Sequence, residues 1–262
     1  MEQDQNVQEL LKLLEENGQK GQASDLSALL FYMDGMQRQY EAVLRELQEV
    51  RKQLDQTANR PSPAKAALQK ALSALEQRLD AVREQLQAVR DGISAWAKDV
   101  VENVQIMGVT ALDKAMSALH VKPALEAAQK NLQQSVSDTK AAIERGEAVG
   151  AELRTAKRHI RNAVYMALGK KIPSHLSGDA GRFQSAVIAP LNGIHKMLSN
   201  MNNNALGMIG LVERLEQSAE RGRERVAEKK PSIRAELASF QAEIAARDAA
   251  KQQEKQPKEA AL

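Results

Sequence analysis

The sequence predicts an all-α protein: an extended antiparallel coiled-coil hairpin followed by a loosely packed helical bundle. Three observations carry that prediction. Ala, Leu, Gln, Glu, Lys and Arg dominate the 262 residues and only seven are aromatic, a usage typical of long helices. Apolar residues recur at alternating spacings of three and four over long stretches, the period of a helical seam. β-branched runs of the kind that make strands are few.

The elements follow in order. A short first helix, Val7 to Glu16, carries Val7, Leu10, Leu11 and Leu14 on one face and stops at Asn17-Gly18, a helix-end signal. After the loop GQKGQAS a second helix places Leu26, Leu29, Met33, Met36, Tyr40, Val43, Leu47, Val50 and Leu54 on one seam. Pro61 and Pro63 break it, since neither fits a helix interior. The next helix repeats the pattern through Leu68, Leu72, Leu75, Leu79, Val82, Leu86, Val89, Ile93, Trp96 and Val100, and is expected to run from Pro63 towards His120. Its seam widens beyond Val100, which implies more than one neighbour.

Pro123 opens another helix at a position proline tolerates. Its apolar face is Leu125, Leu132, Val136, Thr139, Ile143, Leu153, Ile160 and Val164, with Gly146 and Gly150 marking a kink or a close approach. GKKIPSHLSGDAG reads as a loop. A helix from about Arg182 to Glu228 follows, with Val187, Leu191, Ile194, Leu198, Met201, Leu206, Ile209, Val212 and Leu215 inward. Pro190 is expected to bend it and Asn202-Asn203-Asn204 to weaken its middle. Lys230-Pro231-Ser232 begins a last helix with Ile233, Leu237, Phe240 and Ile244. The chain thus divides into a first helix and linker at 1–22, a hairpin at 23–121, a bundle at 122–247 with a basic segment at 153–178, and a disordered tail at 248–262.

Composition excludes several kinds of chemistry. With no cysteine there is neither a disulfide nor a thiolate. His120, His159, His175 and His195 are scattered and have no helical partner for a metal. No HExxH or GxxxxGK[ST] pattern occurs, and nothing pairs a nucleophile with its base. The reading is a non-enzyme with no catalytic residue, no metal and no cofactor. The acidic, amphipathic start is not a secretory signal. The most apolar window, Val100–Val121, is interrupted by Glu102, Asp113 and Lys114, whereas a membrane span needs about 20 predominantly apolar residues. A cytoplasmic protein without membrane contact is expected.

Charge is unevenly spread. Residues 1–60 hold seven Lys/Arg against eleven Asp/Glu, while residues 151–200 hold eight against two. The bases concentrate in ELRTAKRHIRNAVYMALGKK, Glu152 to Lys171, where no acid follows Glu152 until Asp179. On a helix Arg154, Lys157, Arg158 and Arg161 share a stripe of about 100°, beside the apolar face of Leu153, Ile160 and Val164. Lys170 and Lys171 follow at its end. Like charges at i,i+4 each destabilise by about 0.2–0.5 kcal/mol, so an anionic neighbour is expected. The chain's own acidic N-terminal region, an acidic protein partner and a phosphate backbone are the alternatives. Tyr165 alone on the stripe argues against base stacking, so nucleic-acid contact would be with phosphates and strongly salt-dependent.

Three stretches, EQDQNVQELLKLLEENG at the start, VTALDKAMSAL at Val109–Leu119 and KPSIRAELASF at Lys230–Phe240, resemble an uncharacterised family of helical proteins associated with conjugative elements of gut Firmicutes. The resemblance covers nearly the whole chain. It brings no activity and no functional residues, and implies only a setting of mobile DNA. The expected function is a non-enzymatic scaffold or adaptor acting through helix–helix contacts with a protein partner or a second copy. The alternative is an accessory DNA-binding protein using the basic helix 154–171.

Overall fold

A computed structural model describes residues 2–57, 62–107, 112, 119–168 and 183–229, the side chains of 2–4 and 222–229 excepted. The described secondary structure is helical throughout. Helix α1 spans Glu2–Glu16, α2 Lys20–Thr57, α3 Pro63–Met107 and α4 Lys122–Ala167; a π-helical turn, Gln184–Ile188, leads into α5, Ala189–Lys229. Among the described residues, no helix is long and apolar enough to cross a membrane.

Local chemistry sets the boundaries. Helix α1 ends as the Asn-Gly pair predicts. Gly18 takes φ +76°, its N–H donates to the Glu15 carbonyl at 3.1 Å, and the Gln19 N–H donates to the Leu14 carbonyl at 2.8 Å. These two bonds close a Schellman motif, which needs the left-handed residue that glycine supplies without cost. The linker is shorter than the expected loop, because α2 already begins at Lys20. Gly21 and Ser24 lie within its first turns, where their weak propensity is outweighed by the burial of Ala23 and Leu26. At the start of α3 the Ser62 hydroxyl accepts the Lys65 N–H at 3.1 Å, with Pro63 at the first helical position.

Polar contacts between helices give the direction of each. Gln69 Nε2 donates to Asp55 Oδ1 at 2.9 Å and Arg51 pairs with Glu76, so α2 and α3 are antiparallel. Arg78–Asp138 at 2.5 Å and Asn131–Gln85 at 3.1 Å set α4 antiparallel to α3. Lys122–Glu213 at 2.8 Å and Gln129–Asn202 at 3.2 Å do the same for α5 on α4. Arg214–Asp25 at 2.9 Å and Asn204–Gln39 at 3.5 Å return α5 to α2, also antiparallel. Each long helix therefore lies between two antiparallel neighbours. The closest contacts are α3 with α4, α2 with α5 and α4 with α5, while α2 and α3 face each other from Asp55–Gln69 to Gln37–Arg90 but approach less closely. Helix α1 packs on α3 and α2.

The two seams expected for α2 and α3 are buried at every position. Helix α5 differs in phase near its middle: Leu206 is half exposed, and Ala205 and Met208 face inward instead. The spacing Leu198, Met201, Ala205, Met208, Val212 is the uninterrupted one, and alanine is easy to overlook beside a leucine. Helix α4 buries mostly small residues, namely Ala128, Ser135, Thr139, Ala142, Gly146 and Gly150. The Ser135 and Thr139 hydroxyls donate to the carbonyls four residues back, at 2.8 and 2.7 Å, so neither is buried without a partner. At Gly146 an added Cβ would sit 2.6 Å from Ile188 Cδ1, which makes the glycine a point of close approach. Pro190 cannot donate to the Ala186 carbonyl, and the turn just before it is widened to π geometry.

Candidate functional site

The described part of the basic segment, residues 153–168, lies at the end of α4. Up to Gly150 that helix has neighbours on its inner side: Gly146 faces Leu68, Ile188 and Leu191, and Gly150 faces Phe183. Helix α3 begins at Pro63 and the helix leading into α5 at Phe183, so α4 continues past both. Burial changes at that level. Val149 and Gly150 are buried, whereas every residue from Ala151 to Leu168 is exposed or half-buried.

The inner direction can be followed out along the helix. Thr139, Ala142, Gly146 and Gly150 point into the bundle, and steps of three and four carry the same line to Leu153, Lys157, Ile160, Val164 and, nearby, Leu168. Four apolar side chains of this segment stand in solvent: Ile160 is 59% exposed, Val164 51%, Met166 69% and Leu168 63%. Lys157 thus occupies a seam position, with Arg154 and Arg161 along one side of the seam and Arg158 further round. A helix dressed only for solubility would put its bases on the outer side and keep its inner side apolar.

Arg154 and Arg158 are exposed and Arg161 is half-buried. Among the described residues none of these three makes an ion pair with an acid. Arg161 Nε and Asn162 Oδ1 are shielded from solvent yet lack a hydrogen-bond partner. Acids of the N-terminal region engage elsewhere: Glu16 with Lys12, Asp25 with Arg214, Glu49 with Lys52 and Asp55 with Gln69. Lys170 and Lys171 lie outside the described residues. The helix therefore brings four of the six candidate cations together, beside an apolar strip whose exposure the sequence did not disclose.

Other chemistry is sparse. Among the described residues no group of three or more His, Asp or Glu could hold a metal ion. Tyr40 directs its hydroxyl at Asp80 Oδ1, 3.5 Å away, and burial, then the Asp80 charge, raises its pKa above the ordinary value. The guanidinium of Arg214 and the ammonium of Lys122 are held above their ordinary values by hydrogen bonds to Asp25 and Glu213. These pairs join α5 to its two neighbours and serve the bundle.

A family model described as a family of unknown function, DUF6674, matches residues 3–261. No curated protein matches the chain.

Proposed function

We propose, since the chain belongs to the DUF6674 family and that description carries no activity, a function read from geometry alone: a non-enzymatic helical adaptor whose docking element is the end of α4. The observation that supports it most is the inner seam of α4 continuing past its neighbours with apolar and basic residues interleaved. Magnitudes favour a helix over a phosphate backbone as the occupant. Relieving like-charge pairs recovers about 0.2–0.5 kcal/mol each. Burying a side chain of the size of Ile, Val or Leu contributes about 1.5–3 kcal/mol, and even half of that for Ile160, Val164 and Leu168 is the larger sum. Phosphates would leave that apolar strip in water. An amphipathic helix with carboxylates beside its apolar seam answers both features. The cytoplasm of a gut Firmicute, in the context of a conjugative element, is the proposed setting, and the resemblance of the three quoted stretches supports it.

The second reading, phosphate contact, is favoured by the exposure of Arg154 and Arg158, which have no acidic partner among the described residues. One titration separates the two. Full-length protein is offered a synthetic heptad peptide with leucines on its seam and glutamates beside it, the same peptide with lysines, and duplex DNA of unrelated sequences. The adaptor reading expects binding of the glutamate peptide alone, lost in Arg158→Glu/Arg161→Glu at unchanged melting temperature. Duplex binding with a linear log–log fall against salt, and no peptide binding, overturns it in favour of phosphates.

A further inference from the structure

We infer that the occupant of the α4 end is the C-terminal segment, residues 231–248, of a second copy of this chain, so that the protein associates head to tail. The inference rests on the adaptor reading and gives that docking element its partner.

The first argument is complementarity. In the segment Ile233, Leu237, Phe240 and Ile244 follow the four-three-four spacing of a heptad seam. Glu236 and Glu243 immediately precede Leu237 and Ile244, which places both on one flank of that seam, seven residues apart. On the α4 end, Arg154 and Arg161 immediately follow Leu153 and Ile160 and are likewise seven residues apart on one flank. Flanking positions of this kind select partners in paired helices through interhelical charge pairs. Phe240 also gives the segment a large apolar side chain to set against Ile160 and Val164.

The second argument is reach. Lys122, at the start of α4, pairs with Glu213. From there α5 runs on to Lys229, away from the α4 end. At 1.5 Å per residue, Lys229 and Ile160 of one chain lie roughly 80 Å apart along the axis. Only Lys230, Pro231 and Ser232 separate Lys229 from Ile233, and the four steps between them span at most about 14 Å. The segment therefore cannot reach the α4 end of its own chain, whereas a second copy presents it without strain. A contact between two different patches is heterologous, and it repeats into a ring or an open filament.

Charge exchange in the full chain provides the test, with mass measured by light scattering or sedimentation across a concentration series. Wild type is expected to show concentration-dependent association. Arg154→Glu/Arg161→Glu and Glu236→Lys/Glu243→Lys should each weaken it by roughly tenfold or more, because like charges then face each other. An equimolar mixture of the two variants should restore association, since each then offers the surface that the other lacks. A wild type that stays monomeric throughout, or variants that fail to restore each other, overturns the inference. Loss of glutamate-peptide binding in the Arg154→Glu/Arg161→Glu variant reads the adaptor function separately, so a monomer that still binds the peptide removes the second copy and leaves the docking element.

Discussion

Tyr40 shows how one residue couples charge to packing. Its ring is buried on the α2 seam, and its hydroxyl faces Asp80 on α3. Burial first and the carboxylate second make the phenolate unfavourable, so the folded pKa lies above the unfolded one. The folded state then holds its proton over a range where the unfolded state has lost it. Stability is fully present below the ordinary tyrosine pKa near 10 and falls as pH rises through the folded value. Melting temperatures between neutral pH and strong alkali should drop more steeply for wild type than for Tyr40→Phe, with the difference opening only above about pH 10. Equal slopes would remove Tyr40 as the source. Such a residue is half legible in a sequence: its seam position follows from spacing, but its partner across the groove does not.

At the scale of the element, α4 is the instructive case. Beside Leu125, Leu132 and Val149 its seam is mostly small, with Ala128, Ser135, Thr139, Ala142, Gly146 and Gly150, and small side chains draw neighbouring helices inward instead of filling space between them. Gly146→Leu should therefore cost about 1–3 kcal/mol by overpacking against Ile188, and Ile188→Ala in the same chain should recover part of it. Denaturant titration of the two variants decides this, and additive losses would contradict the close approach. The strong heptads of α2 and α3 were legible because large apolar residues mark every turn. The seam of α4 was harder to read, since small residues carry little hydropathy. In α5 the phase slipped at Leu206 for the same reason, as Ala205 hid the true line. Asn202 and Asn204, expected to weaken α5, instead meet Gln129 and Gln39 on its neighbours.

At the scale of the molecule, the described helices share one hydrophobic core. Residues of all five helices belong to the same buried cluster, and α2 has its closer contact with α5, not with α3. A hairpin standing apart from a bundle would melt on its own. Here far-UV circular dichroism and the fluorescence of Trp96, the only tryptophan, should report coincident transitions; an early fluorescence change would restore the separate hairpin. The all-α class was legible from period and composition. The order in which helices neighbour one another was not, because amphipathic seams say that a helix is covered without saying by which partner. The site was legible as a charge anomaly, but its meaning depended on where α3 and α5 stop relative to α4, a fact of register between helices.

The continuation of α4 beyond Gly150 has an energetic consequence. Helices of under about 12–15 residues are marginal in water without tertiary packing, and these last four turns have little of it. Their backbone hydrogen bonds should open locally, well below the free energy of global unfolding. Amide exchange should accordingly be fast from Leu153 to Leu168 and slow from Leu125 to Val149. When a partner binds, part of its contact energy is consumed in holding those turns closed, which lowers affinity while leaving complementarity intact. The end of α4 would then release its partner readily and gain exchange protection on binding, a signature that a rigid, fully packed surface would not give.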